Sequence, residues 1–215
     1  MDCWRETKLP EFTGDIKNLL EIFNIEYSIE QVKKIEDYVK LLDKWNKTYN
    51  LTAVRDVNEM IERHIADSLS IAGFLQGKCF IDVGTGPGLP GIPLAIIFPE
   101  KQFVLLDSNG KKTRFLQEAK RQLKLTNVEI VNERVENYNP QKRFDGILSR
   151  AFSSLDDMVM KTRHLCCENG HFFAMKGQYP EVELQAIRKP YKVHPLYWAG
   201  HLSDRHLVII SQTRG

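Results

Sequence analysis

An apolar run whose end carries a carboxylate acceptor and which passes straight into alternating glycines restricts this chain more than any other segment. The stretch is Phe80-Ile-Asp-Val-Gly-Thr-Gly-Pro-Gly-Leu-Pro-Gly-Ile-Pro-Leu-Ala95. It reads as a buried strand, a glycine turn and the start of a helix. Glycine tolerates positive φ and lets a backbone or a ligand come close. One glycine normally suffices to join a strand to a helix, so Gly84, Gly86 and Gly88 together imply a loop shaped around a ligand. A second apolar run, Phe103-Val-Leu-Leu-Asp107, ends in a carboxylate 23 residues after Gly84. In nucleotide-binding α/β folds an acid roughly 20 residues beyond the glycine turn is placed to accept from ribose hydroxyls. A nucleoside-bearing cofactor is the expectation, with Asp107 as ribose acceptor. The competing reading of Asp107 is a helix N-terminal charge ahead of Asn109-Gly-Lys-Lys.

The spacing separates the possible cofactors. A dinucleotide fingerprint runs G-x-G-x-x-G, whereas here Leu89 follows Gly84-Thr-Gly86-Pro-Gly88. The acid before the first glycine, Asp82, would repel a pyrophosphate, yet it suits a cationic amino-acid end. That combination resembles the turn of S-adenosylmethionine methyltransferases. An NAD-dependent oxidoreductase is the more distant alternative.

At 215 residues the chain suits one α/β domain with an appendage. No apolar run is long enough to span a bilayer, and Arg5, Glu6 and Lys8 interrupt any leader pattern at the N-terminus. The cysteines Cys3, Cys79, Cys166 and Cys167 form no C-x-x-C pair and read as reduced thiols of a cytoplasmic protein. Residues 1–75 carry 10 Lys/Arg against 14 Asp/Glu, a net of −4, and residues 76–215 carry 20 against 14, a net of +6. A basic main segment suits a polyanionic partner, although a solvated surface explains the charge equally well.

Residues 1–75 read as helical. A short apolar pattern surrounds Ile16, Leu19, Leu20 and Phe23. Ser28-Ile-Glu-Gln31 is a capping box opening an amphipathic helix through Val32, Ile35, Val39, Leu42 and Trp45. A further helix from Asn58 is expected to bury Ile61, Ile65, Leu69 and Ala72. From Lys78 strands and helices alternate, with strands expected at 79–83, 102–107, 128–132, 144–149, 170–176, 191–196 and 206–211. This pattern predicts a Rossmann-like, mainly parallel sheet with helices on both faces. The last two strands have no helical pattern between them and predict an antiparallel strand in a mixed seven-stranded sheet. The division expected is a helical segment at 1–75 and a methyltransferase domain at 76–215.

Trp45-Asn-Lys-Thr-Tyr-Asn50-Leu-Thr52, Arg63-His64-Ile-Ala-Asp67-Ser68, Pro87-Gly-Leu-Pro-Gly91, Leu106-Asp107-Ser-Asn-Gly-Lys111-Lys-Thr-Arg114, Ser149-Arg150-Ala-Phe152 and Ala174-Met-Lys176-Gly177 stand in order. With the glycine turn they closely resemble the bacterial small-subunit rRNA methyltransferase G family, also called glucose-inhibited division protein B. The resemblance runs from about residue 28 to the C-terminus. The first roughly 15 residues look like an extension outside the pattern. The resemblance implies methyl transfer from S-adenosylmethionine to N7 of guanine 527 in the 530 loop of 16S rRNA. A methyltransferase on another acceptor and a non-enzymatic RNA-binding or assembly module are the alternatives, because a fold does not establish chemistry. The partner implied is 16S rRNA or the small subunit, and a monomer without metal is expected.

Residue by residue, Asp82, Gly84, Gly86, Gly88 and Asp107 are the cofactor candidates. The resemblance adds Leu89, otherwise a plain core residue, and places Val135 and Glu136 beside the adenine. Arg150 closes the fourth strand, where ligands of open α/β sheets sit. It is placed to reach a cofactor carboxylate, a phosphate or guanine O6, or else to form a salt bridge at the sheet's end. Lys176 ends the fifth strand in a similar place. Lys111, Lys112 and Arg114 are candidate RNA contacts at the active edge. The resemblance puts Asn50, Arg63 and His64 on the rim. His64 and Asp67, spaced i, i+3, are placed to hydrogen-bond to each other, as a catalytic His–carboxylate dyad or, better suited to the spacing alone, as a structural cap or interdomain polar network. His164, Cys166, Cys167 and His171 match no standard metal-ligand spacing. Guanine N7 has a free lone pair and no proton, so no general base is expected.

Overall fold

β1 (Cys79–Val83) and β2 (Gln102–Leu106) set the pattern of the sheet, because their alternate residues feed two separate cores. Phe80, Phe103 and Leu105 enter one apolar cluster, while Ile81, Val83, Val104 and Leu106 enter the other. Strands buried on both faces are near-continuously apolar, as parallel central strands must be. The computed structural model describes residues 12–150, 152, 154–196 and 205–213. Its sheet adds β3 (Val128–Val131), β4 (Phe144–Ser149), β5 (Cys166–Lys176), β6 (Tyr191–Pro195) and β7 (His206–Ser211).

The spatial order is β3-β2-β1-β4-β5-β7-β6. The pairs among β3, β2, β1, β4 and β5 are parallel, and β7 runs antiparallel to both β5 and β6. The expected antiparallel strand is therefore β7, inserted between β5 and β6. The segment between β6 and β7, 197–204, lies outside the described residues, as do Cys3, Ala151 and the last two residues of the C-terminal tail. β5 begins at Cys166 rather than at 170. Its register with β4 shifts between the Phe144 and Gly146 pairings, which lets the Glu168-Asn-Gly170 polar stretch stay in the strand.

Helices cover both faces. α1 (Thr13–Ile22), α2 (Ile29–Tyr49), α5 (Gly91–Ile97) and α6 (Gly110–Gln122) contribute to the cluster that holds Phe80, and α7 (Leu155–Thr162) and α8 (Glu181–Leu184) contribute to the other. The Ser28 capping box is formed, with Ser28 Oγ accepting from Gln31 N–H and Gln31 Oε1 accepting from Ser28 N–H. The Gln31 amide also donates to the carbonyls of Ile96 and Ile97, both at 3.0 Å, and so closes the C-terminus of α5.

The helix expected from Asn58 is three pieces. It comprises α3 (Val57–Met60), a π-helical turn at Ile61–Ala66 and α4 (Asp67–Leu69), capped by the Asp56 carboxylate. A single 3₁₀ turn follows at Ala72–Phe74. Ile61, Ile65, Leu69 and Ala72 are all buried. No helix among the described residues is long and apolar enough to cross a membrane.

Candidate active site

Beyond the carboxyl ends of β1, β2 and β3 lies a cavity of about 290 Å³. Val83, Gly84, Leu106, Asp107, Ser108, Glu133, Arg134, Val135, Glu136 and Phe152 line it. β1 is flanked by β2 on one side and β4 on the other, so the cavity sits at the switch point of the strand order.

The glycine loop builds the cavity's floor. Gly84, Gly86 and Gly88 have φ of 69°, 62° and 97°, conformations that a side chain resists. The amides of Gly84 and Thr85 donate to the Leu106 carbonyl at 2.9 and 3.2 Å, which ties the loop across the tip of β2. Gly91 supplies the close helix–strand approach that a dinucleotide motif assigns to its third glycine. A Cβ there would stand 2.2 Å from Leu105 Cδ2 and 2.9 Å from Asp82 Oδ2.

Asp107 lies where β2 ends and receives the Gly86 amide at 2.9 Å and the Asn109 amide at 2.8 Å. Lys112 Nζ stands 3.6 Å from the same carboxylate. An ionised carboxylate offers about four acceptor positions, so Asp107 retains capacity for the hydroxyls of a ribose.

Asp82 is fully buried beneath the loop. Its Oδ2 accepts from Thr85 Oγ1 at 2.6 Å and from the Gly91 amide at 2.9 Å. Its Oδ1 is buried without a hydrogen-bond partner among the described residues. Burial pushes the carboxyl up to about 6, against the lowering effect of those two hydrogen bonds and of Arg150.

Arg150 follows β4 and is paired with Asp67 of α4 at 3.3 Å. Its Nη1 is another buried atom lacking a hydrogen-bond partner among the described residues. Of the expected hydrogen bond between His64 and Asp67 nothing is seen. His64 Nε2 is 2.8 Å from Thr52 Oγ1, and Asp67 faces the arginines, because the π-helical turn alters the spacing between the two side chains. Burial pushes His64 down to about 4, with Arg150 acting in the same direction, so the ring is neutral at pH 7.

The other expected site residues divide clearly. Leu89 is buried in the apolar cluster and does not line the cavity. Glu136 is exposed on the rim, 4.0 Å from Lys161. Lys176 is held by Glu183 at 2.8 Å and lies 3.4 Å from the Phe152 carbonyl, an anchored rather than an outward cation. Lys112 leans over the glycine loop toward Asp107, while Lys111 and Arg114 point outward from α6. Asn50 is the left-handed cap of α2 and accepts from Arg55, and Arg63 is exposed on the π-helical turn. Among the described residues no group of three or more His, Cys, Asp or Glu is arranged to hold a metal ion.

Sequence reasoning missed Tyr38. It is the bulkiest completely buried side chain among the described residues, and its hydroxyl donates to the Pro87 carbonyl of the glycine loop at 2.8 Å. Its place three residues after Ile35 marks it as core, and nothing in the sequence assigns the hydroxyl a partner. Thr85 and Phe152 were missed likewise. Only a position inside or beside the two quoted motifs hinted at them.

Strand order, glycine loop and the acid at the second strand tip define a class I, Rossmann-like methyltransferase that uses S-adenosylmethionine. The fold is similar to that of M. jannaschii TYW2 in complex with AdoMet, with a TM-score of 0.52 at 17% identity, covering 69% of this chain and 74% of that one. The family model for rRNA small subunit methyltransferase G matches residues 31–207. Proteins of that name from Glaesserella parasuis and Legionella pneumophila are 54% and 50% identical, over 92% of this chain and 98% and 96% of theirs. The chain belongs to the rRNA small subunit methyltransferase G family.

Proposed function

We propose that this protein transfers the methyl group of S-adenosylmethionine to N7 of guanine 527 in the 530 loop of 16S rRNA. The observation that carries the cofactor half is the pair of unsatisfied buried atoms near the loop. Asp82 Oδ1 is an acceptor and Arg150 Nη1 a donor, both lacking partners among the described residues. They complement the ammonium and carboxylate of an amino acid, and native proteins rarely leave such atoms unpaired. Asp107 would hold the ribose hydroxyls. Val83, Leu106, Val135 and Phe152 offer apolar surface to a planar base, with Gly84 giving the backbone close access. Gly86 and Gly88 shape the loop, and Leu89 and Glu136 support it from the core and the rim.

When bound, S-adenosylmethionine supplies an electrophilic methyl group on a sulfonium. This chain's residues then have to orient an acceptor that needs no deprotonation, because guanine N7 already carries a lone pair. Neutral, buried His64 is accordingly a structural and rim residue, not a base. Alkylation leaves the purine positive, a charge that nearby carbonyls or carboxylates would stabilise. N7 lies on the deep major-groove edge of A-form RNA, which side chains do not reach, so the target guanine must be in a loop or turned out of its stack.

The rRNA backbone would be met by Arg63, Lys111, Arg114 and Asn50, all exposed. Lys176 and Lys112, both engaged internally, would contribute positive potential. In this reading the protein acts as a cytoplasmic monomer, with the helical segment, described from residue 12 to 75, built into one core with the methyltransferase segment at 76–215.

Radiolabelled methyl transfer to 16S rRNA and to 30S particles tests the reading, with mass mapping to place the methyl group. Asp107→Ala is expected to weaken S-adenosylmethionine binding about 100-fold, roughly 3 kcal/mol for lost charge-assisted hydrogen bonds. Label that appears on protein or small molecules, and not on rRNA, would reject the acceptor.

A further inference from the structure

The π-helical turn at Ile61–Ala66 brings a charged side chain to an unusual place. π turns are rare and concentrate at functional sites, since the extra residue rotates everything that follows around the helix axis. Here the residue that follows is Asp67, whose side chain is only 4% exposed. Its Oδ2 lies 3.3 Å from Arg150 Nη2, and its Oδ1 lies 3.8 Å from Arg205 Nε. Arg150 follows β4 and Arg205 precedes β7, so one carboxylate from the N-terminal helices joins two strand tips. The turn itself is reinforced: Ser68 Oγ donates to the His64 carbonyl at 2.6 Å and Ser70 Oγ to the Asp67 carbonyl at 2.7 Å.

A guanidinium is a rigid planar fork, so pinning one terminal nitrogen restricts where the other points. The other nitrogen, Arg150 Nη1, is buried and without a hydrogen-bond partner among the described residues. We propose that Asp67 is a positioning residue that holds the Arg150 guanidinium so that Nη1 faces the carboxylate of the S-adenosylmethionine amino-acid end. This rests on the reading of Arg150 given under Proposed function. Asp67 itself touches no ligand, and Arg205, more exposed, shares its charge.

The test is calorimetry on the full chain with two ligands. S-adenosylhomocysteine carries the amino-acid end, and 5′-methylthioadenosine keeps the nucleoside but lacks it. Asp67→Asn is expected to weaken S-adenosylhomocysteine at least 10-fold and 5′-methylthioadenosine less than twofold. Asp67→Asn with Arg205→Gln removes one of the two cations left uncompensated and should show the same split if the single variant folds poorly. In an Arg150→Gln background, Asp67→Asn should cost nothing further. Equal losses for both ligands in the paired variant, or additive losses in the Arg150→Gln background, would overturn the assignment. So would an Arg150→Gln protein that binds S-adenosylhomocysteine normally. A native protein that binds neither ligand would instead overturn the cofactor reading itself.

Discussion

Asp82 puts its two carboxylate oxygens to different uses, and its ionisation links them. Oδ2 fastens the glycine loop through Thr85 and Gly91, and Oδ1, without a partner among the described residues, is the atom proposed to meet the cofactor's ammonium. Burial raises the carboxyl to about 6, and only its ionised form attracts an ammonium. S-adenosylmethionine affinity should therefore be full above about pH 6 and fall as the pH drops through that value, by up to about tenfold per pH unit. Calorimetry between pH 5 and 7 checks this, and Asp82→Asn should flatten the profile; a flat native profile would remove Asp82 from the ligand site. For the ligand-free protein the sign reverses. The folded state takes up a proton between the unfolded carboxyl's ordinary 3.8 and about 6, so acidification across that window stabilises it. Asp82 as an important acid was legible from its place before the glycines. Its division of labour was not, because hydrogen-bond partners nine residues apart depend on how the loop closes.

α2 acts as a brace on the glycine loop and on α5. Tyr38 donates to the Pro87 carbonyl from inside the core, and Gln31 covers the carbonyls that α5 leaves open. Tyr38→Phe keeps the ring and strands a buried carbonyl, at a cost of about 1–3 kcal/mol. The melting temperature should drop by roughly 2–12 °C for a chain of this size. Scanning calorimetry measures that drop, and an unchanged transition would mean the bond contributes nothing. The capping box of α2 was readable in Ser28 and Gln31, because caps are local in sequence. The second task of Gln31 was not, since Ile96 and Ile97 lie more than sixty residues away. The π turn was equally hidden, because the apolar spacing of Ile61, Ile65 and Leu69 reads as an ordinary helix.

At the scale of the molecule, one apolar cluster crosses residue 75. Ile35, Leu42 and Ile65 belong to it together with Phe80, Ile92, Phe103 and Phe115. Cutting the chain there would expose at least four large sheet and helix side chains to water. At about 1.5–3 kcal/mol for each, the loss is comparable to the whole stability of a typical domain, about 5–15 kcal/mol. A fragment of residues 76–215 is expected to show no cooperative unfolding transition and no 5′-methylthioadenosine binding, by calorimetry. A fragment that melts cooperatively and binds would establish the C-terminal segment as an autonomous domain.

By itself the sequence determined the succession of strands and helices, the glycine turn and the acid of the second strand. Each follows from local rules, namely alternation of apolar residues, capping chemistry and the backbone freedom of glycine. Tertiary structure decided which charges meet. Asp67 finds Arg150 and Arg205, more than eighty residues away, only after the strands have been ordered and the N-terminal helices laid against them. Electrostatic partners are chosen by distance through space, and distance in the chain carries almost no record of it.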